Sequence, residues 1–225
     1  MLLAIDTATD RASVAAGGMN AVPAQESIVG ARRHAAQILP MVEACLSRAG
    51  AGVQSLDGIL LADGPGSFTG LRVGASVAKA LARIRPVPVW IAPSLLVCAA
   101  GVGAGPGETV VAASDALRGD LFVAAYRFEG GGIVTLMPPT VRRLTDILAA
   151  LPRTAHFCGP AAPKLGAPPT WPAAAELFGI LERGCARLVP DIAAWEPDYG
   201  RPAEAQAKWE REHGRPLDHS RGHVP

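Results

Sequence analysis

The feature that most constrains this chain is the segment Asp63-Gly-Pro-Gly-Ser-Phe-Thr-Gly-Leu-Arg-Val-Gly74. Ahead of it, residues 56–62 form an apolar run that reads as a buried strand. Behind it, residues 70–84 are small and apolar on nearly every side, with Arg72, Ser76, Lys79 and Arg83 as the few polar positions. A helix of that kind is buried on more than one face. The segment is therefore a strand-to-helix turn inside an α/β fold. Glycine lets such a turn enter conformations closed to other residues, and that alone accounts for the glycines. The alternative is an anion cradle, because a glycine turn that opens a helix aims backbone N–H groups and the positive helix end at one spot. No Gly-Lys-Ser/Thr follows, so this is not a Walker A loop, and Gly64, Gly66 and Gly70 are spaced one residue too long for the dinucleotide fingerprint. Gly70, Gly74 and Ala78 share one helix face and would let another helix approach closely, from the same chain or from a partner.

The rest of the chain places this turn in a larger plan. Residues 2–7, 12–16 and 22–29 read as three strands, with Asp6-Thr7-Ala8-Thr9 at the first tip and Gly17-Gly18 at the second. Residues 35–49 carry Ile38, Leu39, Val42, Cys45, Leu46 and Ala49 in one apolar stripe and predict a helix that Gly50 stops; Pro40 either starts or bends it. Residues 87–91 read as a strand, and Ser94 as the cap of the next helix. Further strands are expected over 109–113, 121–128, 133–136 and 155–158, with Gly130-Gly131-Gly132 as a hairpin turn. Helices are expected over 145–151, capped by Thr145, and over 173–188, with irregular chain from Pro190. A glycine-rich stretch at 101–107 suggests lobes at 1–104 and 105–200, followed by a tail at 201–225, with a single larger domain as the alternative.

Composition narrows the function classes. Charged residues are 18% and hydrophobic residues 49%, which argues against disorder. A net charge of +1 makes strong nucleic-acid binding by this chain alone unexpected. Arg32-Arg33 and Arg142-Arg143 read as solvated surface that adds a few phosphate contacts at most. No stretch approaches the roughly 18 apolar residues of a membrane span. The first residues, Met1-Leu-Leu-Ala-Ile-Asp6, make a poor signal peptide, so a cytoplasmic location is expected. Cys45, Cys98, Cys158 and Cys185 form no CxxC pair; each reads as a buried free thiol rather than a disulfide or zinc ligand. His34, His156, His213, His219 and His223 form no HExxH pattern, and no nucleophile-elbow serine is found. No metal site is expected. Asp6 and Thr7, with Gly66, Ser67 and Thr69, are the candidate phosphate loop, although a carboxylate and hydroxyls at a strand end also simply cap a turn.

Taken together, Leu3-Ala-Ile-Asp-Thr-Ala-Thr9, Arg33-His34 with Gln37-Ile-Leu-Pro-Met-Val42, Gly64–Gly74, Ser114-Asp-Ala-Leu-Arg-Gly-Asp120 and Glu196-Pro-Asp-Tyr-Gly-Arg201 resemble, in order, the bacterial TsaB (YeaZ) family. The resemblance covers roughly residues 1–210. It implies an α/β fold of the actin/Hsp70/sugar-kinase type, with two lobes of βββαβα plan. It also implies a non-catalytic subunit that partners TsaD, with the ATPase TsaE, in N6-threonylcarbamoylation of adenosine 37 of tRNAs reading ANN codons.

In that family the first two helices form the dimer face. Here this implies contact through His34, Gln37, Ile38, Met41, Gly70, Leu71, Arg72, Gly74, Ala75 and Ala78, and moves the small-residue row from internal packing toward a partner. The resemblance further implies no cofactor for this chain itself, ATP or ADP at the interface of the complex, and tRNA held mainly by the partners. Three departures stand out: Leu117 where the family has arginine, Phe122 near a usual tyrosine, and Gly200 after Tyr199. The rival readings are an ATP-dependent kinase or transferase of the same fold, and a homodimeric structural protein. Against the kinase, Asp6-Thr-Ala-Thr9 lacks the glycine a phosphate-hugging first loop generally needs.

Overall fold

The computed structural model describes residues 1–201, leaving out 20, 22, 31, 32, 117, 118 and 151–153; side chains at 148–150 are not described. Val22, Arg32, Leu117 and Leu151, and the tail with His213, His219 and His223, thus lie outside the described residues.

Short apolar runs buried on both faces form β1 (Leu2–Asp6) and β2 (Arg11–Gly17), and the half-exposed, alternating β3 (Ala24–Val29) completes an antiparallel meander. Helix α1 (His34–Arg48) returns the chain, so β4 (Gly58–Ala62) joins β1 in parallel. Helix α2 (Phe68–Ile84) and β5 (Val89–Ala92) repeat that crossover, and α3 (Ser94–Ala100) follows. The second half uses the same plan. β6 (Thr109–Asp115), β7 (Asp120–Phe128) and β8 (Ile133–Arg143) form an antiparallel meander, α4 (Leu144–Ala150) crosses, and β9 (His156–Cys158) pairs parallel with β6. α5 (Glu176–Glu182) and β10 (Arg187–Leu188) complete the elements. The sheets run β10-β5-β4-β1-β2-β3 and β8-β7-β6-β9. This is the doubled βββαβα plan of the actin/Hsp70/sugar-kinase fold.

Strand alternation sorts the core into layers. Leu3, Ile5, Ile59 and Leu61 face α1 and α2, whereas Leu2, Ala4, Leu60 and Ala62 face the opposite way. That second face packs on α3 and α5, which lie between the two sheets with Val110, Phe122 and Tyr126 of the second sheet beyond them. The far side of the second sheet carries Val111, Ala113, Leu121 and Val123 against Ile147 of α4 and Leu165. None of the described helices is long and apolar enough to cross a membrane.

Several expected elements differ. The helix expected over 173–188 is only α5; Gly184, at φ +67°, ends the helical run, and Arg187–Leu188 pairs antiparallel with β5. The first sheet thereby takes its last strand from beyond residue 105. β8 runs seven residues past Leu136, through Pro138 and Pro139. It tolerates prolines because it is an edge strand and because the pairing with β7 is irregular between Val123 and Ala125. Residues 53–55 are a 3-10 turn, so β4 starts two residues later than the apolar run at 56. α1 neither starts nor stops at Pro40, which sits on its exposed side. Ser94 is the first residue of α3 rather than its cap; its hydroxyl accepts the Gly64 N–H at 3.0 Å. Thr145 lies inside α4 and donates to Asp146 at 3.2 Å.

Candidate functional site

The glycine segment packs, backbone to backbone, on the turn that ends β1. Ser67 N–H donates to the Ala8 carbonyl at 2.7 Å. A Cβ at Gly66 would overlap that same Ala8 oxygen, and one at Gly70 would overlap the carbonyl oxygen of Thr7. At Gly74 it would come within 2.5 Å of Thr7 Oγ1 and within 3.4 Å of Leu61. These glycines are thus set by close approach to residues 7 and 8. Gly64 is different: its φ is +114°, and Asp198 O occupies the space of a side chain.

Four of the N–H donors between Gly64 and Leu71 are engaged within the chain. Gly64 N–H goes to Ser94 Oγ, Ser67 N–H to Ala8 O, Gly70 N–H to Ser67 Oγ at 3.2 Å and Leu71 N–H to Ser67 O. Ser67 is thereby the N-cap of α2, which begins at Phe68, two residues before the expected start. Thr7 lies beneath this loop and Asp6 precedes it on the other face of β1; both are fully buried. Asp6 Oδ1 accepts the Ala8 N–H at 2.9 Å, while Asp6 Oδ2 and Thr7 Oγ1 have no hydrogen-bond partner among the described residues. Burial pushes the Asp6 carboxyl up to about 7, against the opposing Ala8 hydrogen bond. Asp63, at the end of β4, is raised to about 6 by burial and by the nearby Asp198, with Arg187 opposing. Of the candidate phosphate-loop residues, Thr69 is exposed; Thr7 is sealed behind Gly70 and Gly74, whereas Asp6 lies on the opposite face of β1 with Leu2 and Ala4. Chemically, the arrangement is a packed turn with buried carboxyls rather than an open cradle.

The residues expected at a partner face divide sharply. Gly70, Leu71, Gly74, Ala75 and Ala78 are buried, and the small-residue row rests on β1 and β4 of its own sheet. His34, Ile38 and Met41 are likewise buried under α1; His34 Nε2 lies 3.1 Å from Asp10 O. The small-residue row therefore serves internal packing. Arg72 and, in part, Gln37 reach the surface. The outward side of these two helices consists of other residues: Ala35, Leu39 and Glu43 on α1, and Phe68, Ser76 and Arg83 on α2. Leu39 is 60% exposed and Phe68 47%. Beside Leu39, a groove of about 710 Å³ lined by Val42, Leu46, Ala51, Val53 and Leu81 separates α1 from α2.

Reading motifs one at a time missed a second feature. After α5 the chain returns as a strap over α2. Lys79 pairs with Glu196 at 2.9 Å, the Tyr199 ring lies 4.6 Å from Phe68, and Arg72 sits over the other ring of that pair. Asp198 N–H donates to Asp63 O at 2.8 Å, and Arg201 pairs with Asp120 of β7 at 2.7 Å. The strap thus touches both lobes. It also explains two of the sequence's departures together: Gly200 has φ +67°, and a Cβ there would lie 2.5 Å from the Phe122 ring. Among the described residues, no three His, Cys, Asp or Glu side chains group as metal ligands.

A family model described as "TsaD: tRNA N6-adenosine threonylcarbamoyltransferase" matches residues 17–165, more than half of the chain. The chain belongs to this family. Its relatives place it with the TsaB (YeaZ) proteins. It is 37% identical over 133 residues to the tRNA threonylcarbamoyladenosine biosynthesis protein TsaB of Escherichia coli (strain K12), covering 59% of this chain and 57% of that protein. It is 28% identical over 231 residues to TsaB of Bacillus subtilis (strain 168), covering 92% of this chain and 96% of the relative. To TsaB of Haemophilus influenzae it is 37% identical over 122 residues, covering 54% of this chain and 51% of the relative. The chain thus spans about half the length of the Escherichia and Haemophilus proteins. The solved structure of YeaZ from Pseudomonas aeruginosa superposes with a TM-score of 0.73 at 26% identity, covering 88% of this chain and 99% of that one.

Proposed function

We propose that the chain is a non-catalytic subunit of the machinery that makes threonylcarbamoyladenosine in tRNA. It would bind a TsaD-type partner through the exposed side of α1 and α2. What carries this reading is the pair of helices packed side by side on one sheet face, with Leu39 outward beside an apolar groove and Phe68 and Arg72 exposed at the start of α2. Aromatic and arginine side chains of this kind dominate protein–protein contacts. The names of the relatives, which are biosynthesis proteins of this modification, supply the pathway. The burial of Thr7 behind Gly70 and Gly74 supports a binding rather than a phosphoryl-transfer role. In this reading the chain needs no nucleotide of its own, ATP or ADP belongs to the interface of the complex, and TsaE joins as the ATPase. A net charge of +1 leaves tRNA mainly to the partners, and the setting is the cytoplasm.

The test is co-purification with a TsaD-type protein, followed by a modification assay on tRNA lacking the modification. Leu39→Glu and Arg72→Glu are each expected to weaken the complex about tenfold or more. Thermal unfolding of Leu39→Glu should be unchanged, because that site is exposed, while Arg72→Glu also loses the contact over Phe68 and is read beside its own unfolding curve. Full affinity in both variants would remove this face from the interface. Micromolar ATP binding by the isolated chain would instead favour the kinase reading.

A further inference from the structure

Two thiols from opposite halves of the chain meet between the sheets. Cys98 lies in α3 and Cys158 ends β9; they are 3% and 0% exposed. Strand alternation brings Cys158 there. It pairs with Ala112 of β6 on the side facing α3, whereas its neighbour Phe157 pairs with Val111 and faces the other core. Cys98 Sγ is 3.6 Å from Thr170 Oγ1, and that same oxygen accepts the N–H of Gly159, the residue after Cys158, at 2.7 Å. Each thiol acts on the other, lowering Cys98 and raising Cys158 from the ordinary thiol value, with burial opposing the first and adding to the second. Cys45 and Cys185 are placed elsewhere, against Val14 O and Ile133 O.

We infer that Cys98 and Cys158 are a redox pair, which a hydroperoxide closes to a disulfide linking the middle helix layer to the second sheet. The Cys98 sulfur attacks one peroxide oxygen; the S–O bond forms, the O–O bond breaks, and the leaving alkoxide or hydroxide takes up a proton. The Cys158 sulfur, losing its proton, then attacks the sulfenic sulfur; the S–S bond forms, the S–O bond breaks, and water leaves. Two thiols lose two electrons, and the peroxide is reduced to water and an alcohol or a second water. Thr170, partly exposed in the irregular stretch between Gly166 and α5, touches Cys98 and Gly159, and the oxidant would reach the pair from its side. A dithiol reverses the reaction.

The inference is independent of the partner reading. To test it, the reduced full chain is exposed to hydrogen peroxide, denatured, alkylated and mapped as peptides. The expected map has a Cys98–Cys158 cross-link, with Cys45 and Cys185 alkylated. Closing a loop of this length should raise the melting temperature by roughly 10 °C, reversibly with dithiothreitol. Cys158→Ala should stop at a sulfenic acid on Cys98 that dimedone traps. Recovery of both thiols alkylated, a cross-link to Cys45 or Cys185, or irreversible oxidation of Cys98 without a cross-link would overturn the pair. The wild-type map decides the matter even if the variant does not fold.

Discussion

Replacing Gly70 with alanine is expected to destabilise the chain by at least about 3 kcal/mol, a large share of a typical domain's stability. The added methyl would overlap the carbonyl oxygen of Thr7, and neither side can yield cheaply. Gly70 sits in the first turn of α2, capped by Ser67; Thr7 follows β1 in a fully buried turn. Moving either would break the Ser67–Ala8 hydrogen bond that joins loop and turn. Gly179 is the control. It is also helical, in α5, but a Cβ there would meet nothing within 4 Å. Gly179→Ala should therefore be neutral or stabilise by up to about 1 kcal/mol, through helix propensity alone. Urea unfolding of both variants checks this. Equal, small effects would mean that the turn and the glycine loop are not in close contact.

Asp6→Asn is expected to stabilise the protein at pH 8 but not at pH 4. The Asp6 carboxyl has an ordinary value of 3.8 and is raised to about 7 by burial. The folded chain therefore holds this proton between those values while the unfolded chain releases it, so stability falls as pH rises through that window. Above about pH 7 both states are ionised, and the folded state carries a buried charge with one oxygen unpartnered. Asparagine mimics the protonated acid, keeps an acceptor for the Ala8 N–H, and removes the charge. At pH 8 the gain should be a few kcal/mol, by order of magnitude. A residual slope should remain, because Asp63 is raised to about 6 and shifts stability the same way. Unfolding curves at both pH values provide the measurement; a stability difference between variant and wild type that does not change with pH would contradict the buried-acid assignment.

These two expectations turn on contacts that local reading does not reach. Gly70, Gly74 and Ala78 are visible in the sequence as a stripe of small residues, yet the stripe is the same whether a sheet or a partner lies opposite. The structure puts β1 and β4 there. Of the outward residues, Leu39 falls in the apolar stripe of 35–49 and reads as core yet is 60% exposed, and Phe68 lies before the expected helix start. The residues of the strap were picked out only by family resemblance, and their pairing of Gly200 with Phe122 joins positions 78 residues apart.

The turn from strand to helix at 63–74 was determined by the chain alone. So were the two meanders and the helices behind them, because alternation and helical periodicity are local properties of neighbouring residues. Three things only the tertiary structure decided. The glycines serve the turn at Thr7 and Ala8, a strand of two residues closes the first sheet, and Cys98 and Cys158 from opposite halves share one core layer. Each depends on which distant segment arrives opposite, and periodicity specifies a face without specifying what that face will meet.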